Sequence, residues 1–504
     1  MKIINSATLQ TIEAKSVDVE ASFTNGLPSF TIVGLASNII QESRDRVKSA
    51  LLSNEFKFPA KKITINLSPS EIQKSGTHFD LAIALLIALY DTKVEFEDFY
   101  VFGELSLDGK IKDSSNIFPI VLSLTKQKLI KNVLVCKESA KKLSKIPNIN
   151  IYCVDNLDMA MQFFKLNNKL KFKFESEDFN YKKLIVDNIS YFFVDSYELD
   201  FNEVKGQKYA IQAALIAAAG NHNILFEGSA GCGKSMISKR MKYIMPPMSL
   251  EEILEQAKLQ SIEMKPIDFT PLRVFRSPHH SSTKSSIFGG GSGNSAKIGE
   301  IALSNNGILF FDELPHFTKS SLEALREPLQ DYKVLISRVN SKVVYDTKFL
   351  FISAMNPCPC GNLLSTNKDC RCSDLEIQRY KNRLSEPLLD RIDLYVVMSE
   401  PKIEQSSYFN SKDLHLKVIK AFKKQKQRGQ KDLNGKLSDK DIKNYCILDN
   451  SSKVLLDKAI ETYKLSFRSI NKVLKVARTI ADLNENINIT KDDLMQALSY
   501  RKRQ

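Results

Sequence analysis

The densest chemistry in the chain lies in Gly228-Ser229-Ala230-Gly231-Cys232-Gly233-Lys234-Ser235. Glycines at these spacings let backbone N–H groups turn inward around an anion. A following lysine can reach the β- and γ-phosphates of a nucleotide, and a serine hydroxyl can coordinate Mg²⁺. The flanks suit the pattern: Asn223-Ile224-Leu225-Phe226 reads as a strand, and Met236 to Tyr243 as a helix. Further on, Gly307-Ile308-Leu309-Phe310-Phe311 reads as a buried strand ending in Asp312 and Glu313. Asp312 would hold the Mg²⁺ ion through water, and Glu313 would polarise an attacking water. A third apolar run, Phe349 to Met355, ends at Asn356, whose amide could sense the γ-phosphate. ATP and Mg²⁺ are therefore the expected cofactors.

Cys358, Cys360, Cys370 and Cys372 form two Cys-x-Cys pairs separated by nine residues. Four thiolates so close can enclose Zn²⁺ tetrahedrally, and in a reducing compartment metal is favoured over disulfide. Unmetallated cysteines are the alternative. The segment from Arg273 to Ser282, followed by Gly289-Gly290-Gly291, is polar and glycine-rich. Its Arg273, Arg276, His279 and His280 could grip a sugar–phosphate backbone. A hairpin is expected from Val334 to Tyr345, turning at Asn340-Ser341 and projecting Arg338 and Lys342. Seven basic and no acidic residues lie between Lys417 and Lys431, which reads as a solvated helix face or as a contact for DNA phosphates.

These groups need a multidomain frame, because 504 residues exceed what one core organises. The apolar pattern divides into an α/β domain over 1–165, a polar linker over 166–190, a second α/β domain over 191–400 and a helical region over 401–504. In the last, Ile470, Val473, Leu474 and Ala477 share one helix face. Hydrophobic residues at 43% and charged residues at 26% fit a globular chain, and no apolar run is long enough for a membrane span. The start at Met1 lacks a secretory pattern, so a cytoplasmic location is expected. A net charge of +14 suits a polyanionic partner without demonstrating one.

From Asp200 to about Leu483 the chain resembles the magnesium-chelatase-like AAA+ ATPases, in particular the bacterial ComM/YifB group. The matching stretches include Val204-Lys205-Gly206-Gln207, the phosphate loop, Phe275-Arg276-Ser277-Pro278-His279-His280 and Asp312-Glu313-Leu314-Pro315. Others are Leu325-Arg326-Glu327-Pro328-Leu329, Asn356-Pro357-Cys358-Pro359-Cys360-Gly361 and Pro387-Leu388-Leu389-Asp390-Arg391-Ile392-Asp393. Val274 stands where the family usually has proline, and Glu386 where glycine is common; neither change removes a chemical group. The resemblance implies a P-loop core with a C-terminal helical lid. It implies that Arg391 enters a neighbouring subunit's site and that Arg468 is the lid arginine touching phosphate, with Arg478 as runner-up. A shared site implies a ring, expected to be a hexamer.

Ile63 to Leu85 and Gly103 to Lys110 resemble the Lon-type protease domain, of the ribosomal protein S5 domain 2-like class. His78 falls where the nucleophilic serine would be, and Phe118 where its activating lysine would be. The front domain is therefore expected to be a non-catalytic module. The implied function is an ATP-dependent DNA translocase on single-stranded or branched DNA, promoting branch migration in recombination and natural transformation, with recombination proteins as possible partners. The alternatives are a protein-remodelling ATPase and a metal-chelatase motor subunit.

Overall fold

The structure is a computed structural model that describes residues 2–96, 98–176, 179–290, 297–337, 342–400 and 409–501. It divides into two compact units, Met1–Asn180 with Leu254–Phe269, and Tyr181–Ile253 with Thr270–Gln504.

The first unit is built on a seven-stranded mixed sheet in the order Ser29–Val33, Lys62–Ser68, Glu13–Thr24, Lys2–Gln10, Phe99–Val101, Asn132–Val135 and Asn150–Cys153. Lys62–Ser68 buries Ile63, Ile65 and Leu67 on one face, the period-two pattern of a strand covered on one side. The helix Asp80–Ala88 is buried all round, as its unbroken apolar sequence requires. Two features differ from the expected domain layout. Residues 254–269, from the middle of the ATPase sequence, belong to this unit, where Ser261 Oγ donates to Ser115 O at 2.6 Å and Glu255 pairs with Lys126 at 2.8 Å. Part of the 166–190 stretch is also structured. Its alternating Lys and Phe residues bury Phe172 while the Lys169 ammonium lies over the Phe99 ring, and Lys182–Val186 pairs antiparallel with Ile189–Phe193 in the second unit.

The second unit carries a five-stranded, all-parallel sheet. Its strands are β1 (Ile224–Gly228), β2 (Phe275–Arg276), β3 (Ile308–Phe311), β4 (Leu350–Met355) and β5 (Leu394–Met398), in the spatial order β2-β3-β4-β1-β5. β1, β3 and β4 are buried at every residue, so they read as unbroken apolar runs rather than alternating ones. The alanine-rich helix Lys208–Gly220 contributes to the same core, which also takes in Val473, Val476, Ala477 and Ile480 of the helix Phe467–Leu483. The C-terminal region is helical, with Ser411–Gln427, Asp439–Tyr445, Asn450–Tyr463, Phe467–Leu483 and Lys491–Ser499. Among the described residues no helix is long and apolar enough to cross a membrane.

Three histidines are stored neutral in these cores. Burial pushes His78, His222 and His415 down to about 4 from the ordinary 6.5. His78 donates from Nε2 to Ala7 O at 2.8 Å, and its Nδ1 has no partner to stabilise a proton. A depressed folded-state pKa means that the unfolded chain binds the proton first as the pH falls. The stability associated with His78 is thus complete above pH 6.5 and lost progressively towards about 4. Thermal unfolding of the first unit is expected to become steeply acid-labile in that window, by about 3 kcal/mol for this residue. His78→Gln should flatten the dependence in scans across pH.

Candidate nucleotide site

The parallel sheet sends the carboxyl ends of β1, β3 and β4 to one edge, where the site is assembled. At the end of β1 only glycine fits. A Cβ on Gly228 would lie 2.7 Å from Cys232 Sγ and 2.8 Å from Met398 O. Gly233, at φ 97°, turns the loop into the helix Lys234–Arg240 through backbone space that side-chain-bearing residues avoid. Gln207 braces the loop from below, donating to Cys232 O at 3.0 Å and to Ser399 O at 2.7 Å. The sequence offered Gln207 as part of a recognisable stretch without a role.

Lys234 is almost fully buried. Its ammonium donates to Gly228 O at 2.5 Å, Ser229 O at 2.9 Å and Asn356 Oδ1 at 3.1 Å. Burial pulls its pKa below the ordinary lysine range, against the pull of Cys232 and Asp312. Ser235 Oγ donates to Asp312 Oδ2 at 2.8 Å, so the two groups expected to meet Mg²⁺ already face each other. Glu313 follows in left-handed backbone, φ 52°, with its N–H on Asp312 Oδ1 at 3.0 Å and its side chain half exposed. Lys234, Ser235, Asp312 and Asn356 are thus brought together from three strands, with Glu313 at the rim. Cys232 is buried against Lys234 at 3.9 Å, and burial raises its pKa.

Several residues read as DNA contacts sit differently. Arg273 is buried and serves as an internal staple, donating to Pro246 O, Pro247 O, Asn306 O and Glu252 at 2.6 to 3.2 Å. Its guanidinium is taken up by these internal partners, which corrects its reading as a candidate DNA contact. Arg276 is half-buried and pairs with Glu300 at 3.7 Å. Because β2 runs parallel beside β3, the segment after β2 emerges next to Glu313, and His280 Nδ1 lies 3.6 Å from Glu313 Oε2. His279 is exposed and packs against His280 with ring centroids 4.1 Å apart and the planes tilted by 34°. Arg338 lies outside the described residues, and Lys342 is described only as the first residue of the strand Lys342–Asp346, which pairs with Lys333–Ser337. In the basic run, Lys426 donates to Gln430 O and Lys431 O, and Arg428 is bidentate to the buried Asp482, so these two are structural.

Arg391 sits at the other edge of the sheet. β5 pairs with β1 in the register Ile224↔Leu394 to Gly228↔Met398, and Arg391 precedes Leu394. At roughly 3.3 Å per residue, Leu394 alone is about 13 Å from the level of Gly228. Arg391 instead donates to Pro387 O and to Gln330 Oε1, both at 2.5 Å, and Arg468 donates to the same Gln330 oxygen at 2.8 Å. Arg478 is corrected as the runner-up lid arginine. It is buried on Asp482 at 3.0 Å and on the carbonyls of Asn486 and Ile487.

The four sulfurs of Cys358, Cys360, Cys370 and Cys372 lie within 4.8 Å of one another, directly after Asn356. The Cys358–Cys360, Cys358–Cys370 and Cys360–Cys370 separations are 3.4, 3.7 and 3.7 Å. Backbone N–H groups of Asn362 and Arg371 draw the Cys360 thiol down to about 6, while desolvation and hydrogen bonds to Cys360 and Cys358 push the Cys370 and Cys372 thiols up. In the first unit, His78 and Phe118 are both buried, and the Lys74 ammonium is spent on Gly34 O at 3.0 Å and Pro69 O.

A parallel sheet with a phosphate loop, an acidic pair and a polar amide at its carboxyl edge defines a P-loop ATPase. The particular family follows from comparison with known proteins. Residues 200–406 match the family described as magnesium chelatase, subunit ChlI; residues 19–139 match subunit ChlI of Mg-chelatase; and residues 409–501 match its C-terminal part. The competence protein ComM of Haemophilus influenzae is 36% identical over 513 residues, covering 99% of this chain and 97% of its own. The uncharacterized YifB proteins of Salmonella typhimurium and Escherichia coli are 35% and 33% identical, again over 99% and 97%. The chain belongs to the magnesium-chelatase-like AAA+ ATPase family, close to ComM and YifB, and is an ATP-hydrolysing enzyme.

Lys234→Ala is expected to abolish ATP binding in an equilibrium nucleotide-binding assay. Glu313→Gln is expected to keep binding while hydrolysis falls by about 10²–10⁴-fold, the contribution of a positioned general base.

Proposed function

We propose that the chain is a subunit of a ring-forming, ATP-driven motor whose sites are shared between neighbours. The observation that carries this reading is the position of Arg391, at the sheet edge opposite its own phosphate loop. From there it lies at least about 13 Å along the strands from its own phosphate loop, and the shared-site reading gives it the γ-phosphate of a neighbouring copy instead. Within one chain Lys234 would bind the β- and γ-phosphates, Ser235 and Asp312 would hold Mg²⁺, Glu313 would orient water and Asn356 would report the γ-phosphate. Mg²⁺ supplies charge neutralisation at the phosphates when bound.

The load we propose is DNA, moved to drive branch migration. Support comes from the nearly full-length similarity to a relative named a competence protein, from the net charge of +14 and from the exposed His279. A metal-chelatase or protein-remodelling motor is the second reading. It has the more direct support from the family descriptions, all three of which name magnesium chelatase. Arg273 also leaves the set of DNA contacts, since its charge is spent internally. ATP-dependent movement of a labelled synthetic Holliday junction, lost in Lys234→Ala and Glu313→Gln, is the expected result. Hydrolysis without junction movement and without DNA binding at low salt would favour the second reading.

We propose that the front unit is a Lon-like module without proteolysis; His78 and Phe118, which the resemblance sets at the positions of the nucleophile and its lysine, are both buried. For the cysteines we propose structural Zn²⁺. Sulfurs 2.3 Å from a tetrahedral centre are about 3.8 Å apart; the separations of 3.4 to 3.7 Å among Cys358, Cys360 and Cys370 are close to that and far from a disulfide bond, and Cys372 lies within 4.8 Å of all three. Held by four protein ligands, the ion would fix the turn that follows Asn356. Protein purified under reducing conditions is expected to carry about one zinc per chain, lost in Cys358→Ser/Cys370→Ser. A metal-free wild-type chain by elemental analysis contradicts the assignment.

A further inference from the structure

Gln330 ends no motif and lies on the exposed side of the short helix Arg326–Asp331. Yet its side-chain oxygen is the meeting point of two guanidinium groups, Arg391 at 2.5 Å and Arg468 at 2.8 Å. Only the carbonyl end of an amide can accept from two cations, so the orientation of the side chain follows from its partners. The two arginines come from distant parts of the unit: Arg391 precedes β5, and Arg468 begins the helix Phe467–Leu483. Bringing them onto one atom concentrates positive charge. Burial and the nearby charges of Arg468 and Arg326 all push the Arg391 pKa down, and Arg391 Nε is buried with no hydrogen-bond partner. A cavity of about 800 Å³, lined by Arg391, Gln330, Arg326 and Lys284 among others, opens at this point.

Two like charges are held close only where something stabilises the arrangement, and a neutral amide stabilises it without cancelling it. A carboxylate at the same position would bind both guanidinium groups more strongly and neutralise part of their charge. The amide oxygen therefore resembles a weak stand-in for a phosphate oxygen. It orders the pair, then yields it to a polyanion with more negative charge to offer.

We infer that Gln330 is a positioning residue that holds Arg391 and Arg468 as one cationic pair, ready for the triphosphate bound by the neighbouring subunit. This rests on the shared-site ring proposed above. The two arginines then approach the transferred phosphoryl group together, with their mutual repulsion already met before the nucleotide arrives. Gln330 acts through the two arginines, so its effect falls on turnover and not on nucleotide affinity.

The test uses full-length chains altered as Gln330→Ala, Gln330→Glu and Arg391→Ala, each assayed for steady-state ATP hydrolysis alone and mixed one-to-one with Lys234→Ala chains. Gln330→Ala is expected to lower kcat by about three- to tenfold with KM for ATP changed by less than about twofold, the pattern of a lost transition-state contact. Gln330→Glu should lower kcat further, because the carboxylate retains the pair. Both should regain activity on mixing, since Lys234→Ala chains still carry an intact arginine pair to offer a functional phosphate loop. Wild-type kcat in both Gln330 variants overturns the inference, as does a loss that mixing fails to restore while the Arg391→Ala loss is restored. If Arg391→Ala also gains nothing from mixing, the shared-site ring itself is contradicted and the Gln330 role falls with it.

Discussion

The parallel pairing of β1 with β5 is the constraint on which the second unit depends. Asn223, the residue before β1, accepts backbone N–H groups from Asp393 and Leu394 at 2.9 and 3.0 Å. Its own N–H donates to Asp393 Oδ2, and its side-chain amide to Arg391 O, both at 2.8 Å. Its side-chain oxygen also receives the buried Lys436 ammonium at 3.3 Å, which burial pulls down to about 8. One residue thus anchors the strand leading to the phosphate loop and the segment presenting the arginine. Since strands in a parallel pair point the same way, the loop leaves one edge and Arg391 stays at the other. Parallel pairing thus sets the phosphate loop and Arg391 at opposite ends of the same pair of strands.

At the phosphate edge, buried polar groups are satisfied by one another. Burying the Lys234 ammonium is costly unless it is hydrogen-bonded, and two loop carbonyls with the Asn356 amide offset that cost. Ser235 and Asp312 do the same for each other. Phosphate oxygens and Mg²⁺ would enter by exchanging partners in a formed network. Coupling to the rest of the unit is short-range. Asn356 leads directly into the cysteine cluster, and Glu313 meets His280 from the neighbouring strand's continuation. Each is a contact between a chemical group and a segment that leads away from it.

What the sequence made legible follows the distance over which each interaction acts. The phosphate loop, Asp312-Glu313 and the cysteine pairs were legible as local patterns, because each is made of neighbouring residues of fixed type; the fold sets Ser235 on Asp312 and the four sulfurs within 4.8 Å of one another. Arg273 was not legible in this way, since its partners Pro246, Pro247, Glu252 and Asn306 are brought to it only by folding. In sequence its insert is polar and glycine-rich like a grip, and nothing local marks one of its arginines as buried. Arg478 was misread for the same reason, its ion pair with Asp482 being indistinguishable in sequence from a solvated helix pair. The role of Gln330 was invisible because both arginines that define it are remote. Nor does periodicity reveal that residues 254–269 leave the ATPase unit for the first one.

The central claim is that one chain is only half of an ATP site. ATP hydrolysis per chain, followed across protein concentration with the oligomeric state measured in parallel by sedimentation, tests it most directly. Specific activity rising with assembly from near zero in the monomer, together with an assembled Arg391→Ala protein that stays inactive, is the predicted result. A monomer that hydrolyses ATP as fast as the assembled protein would contradict the account.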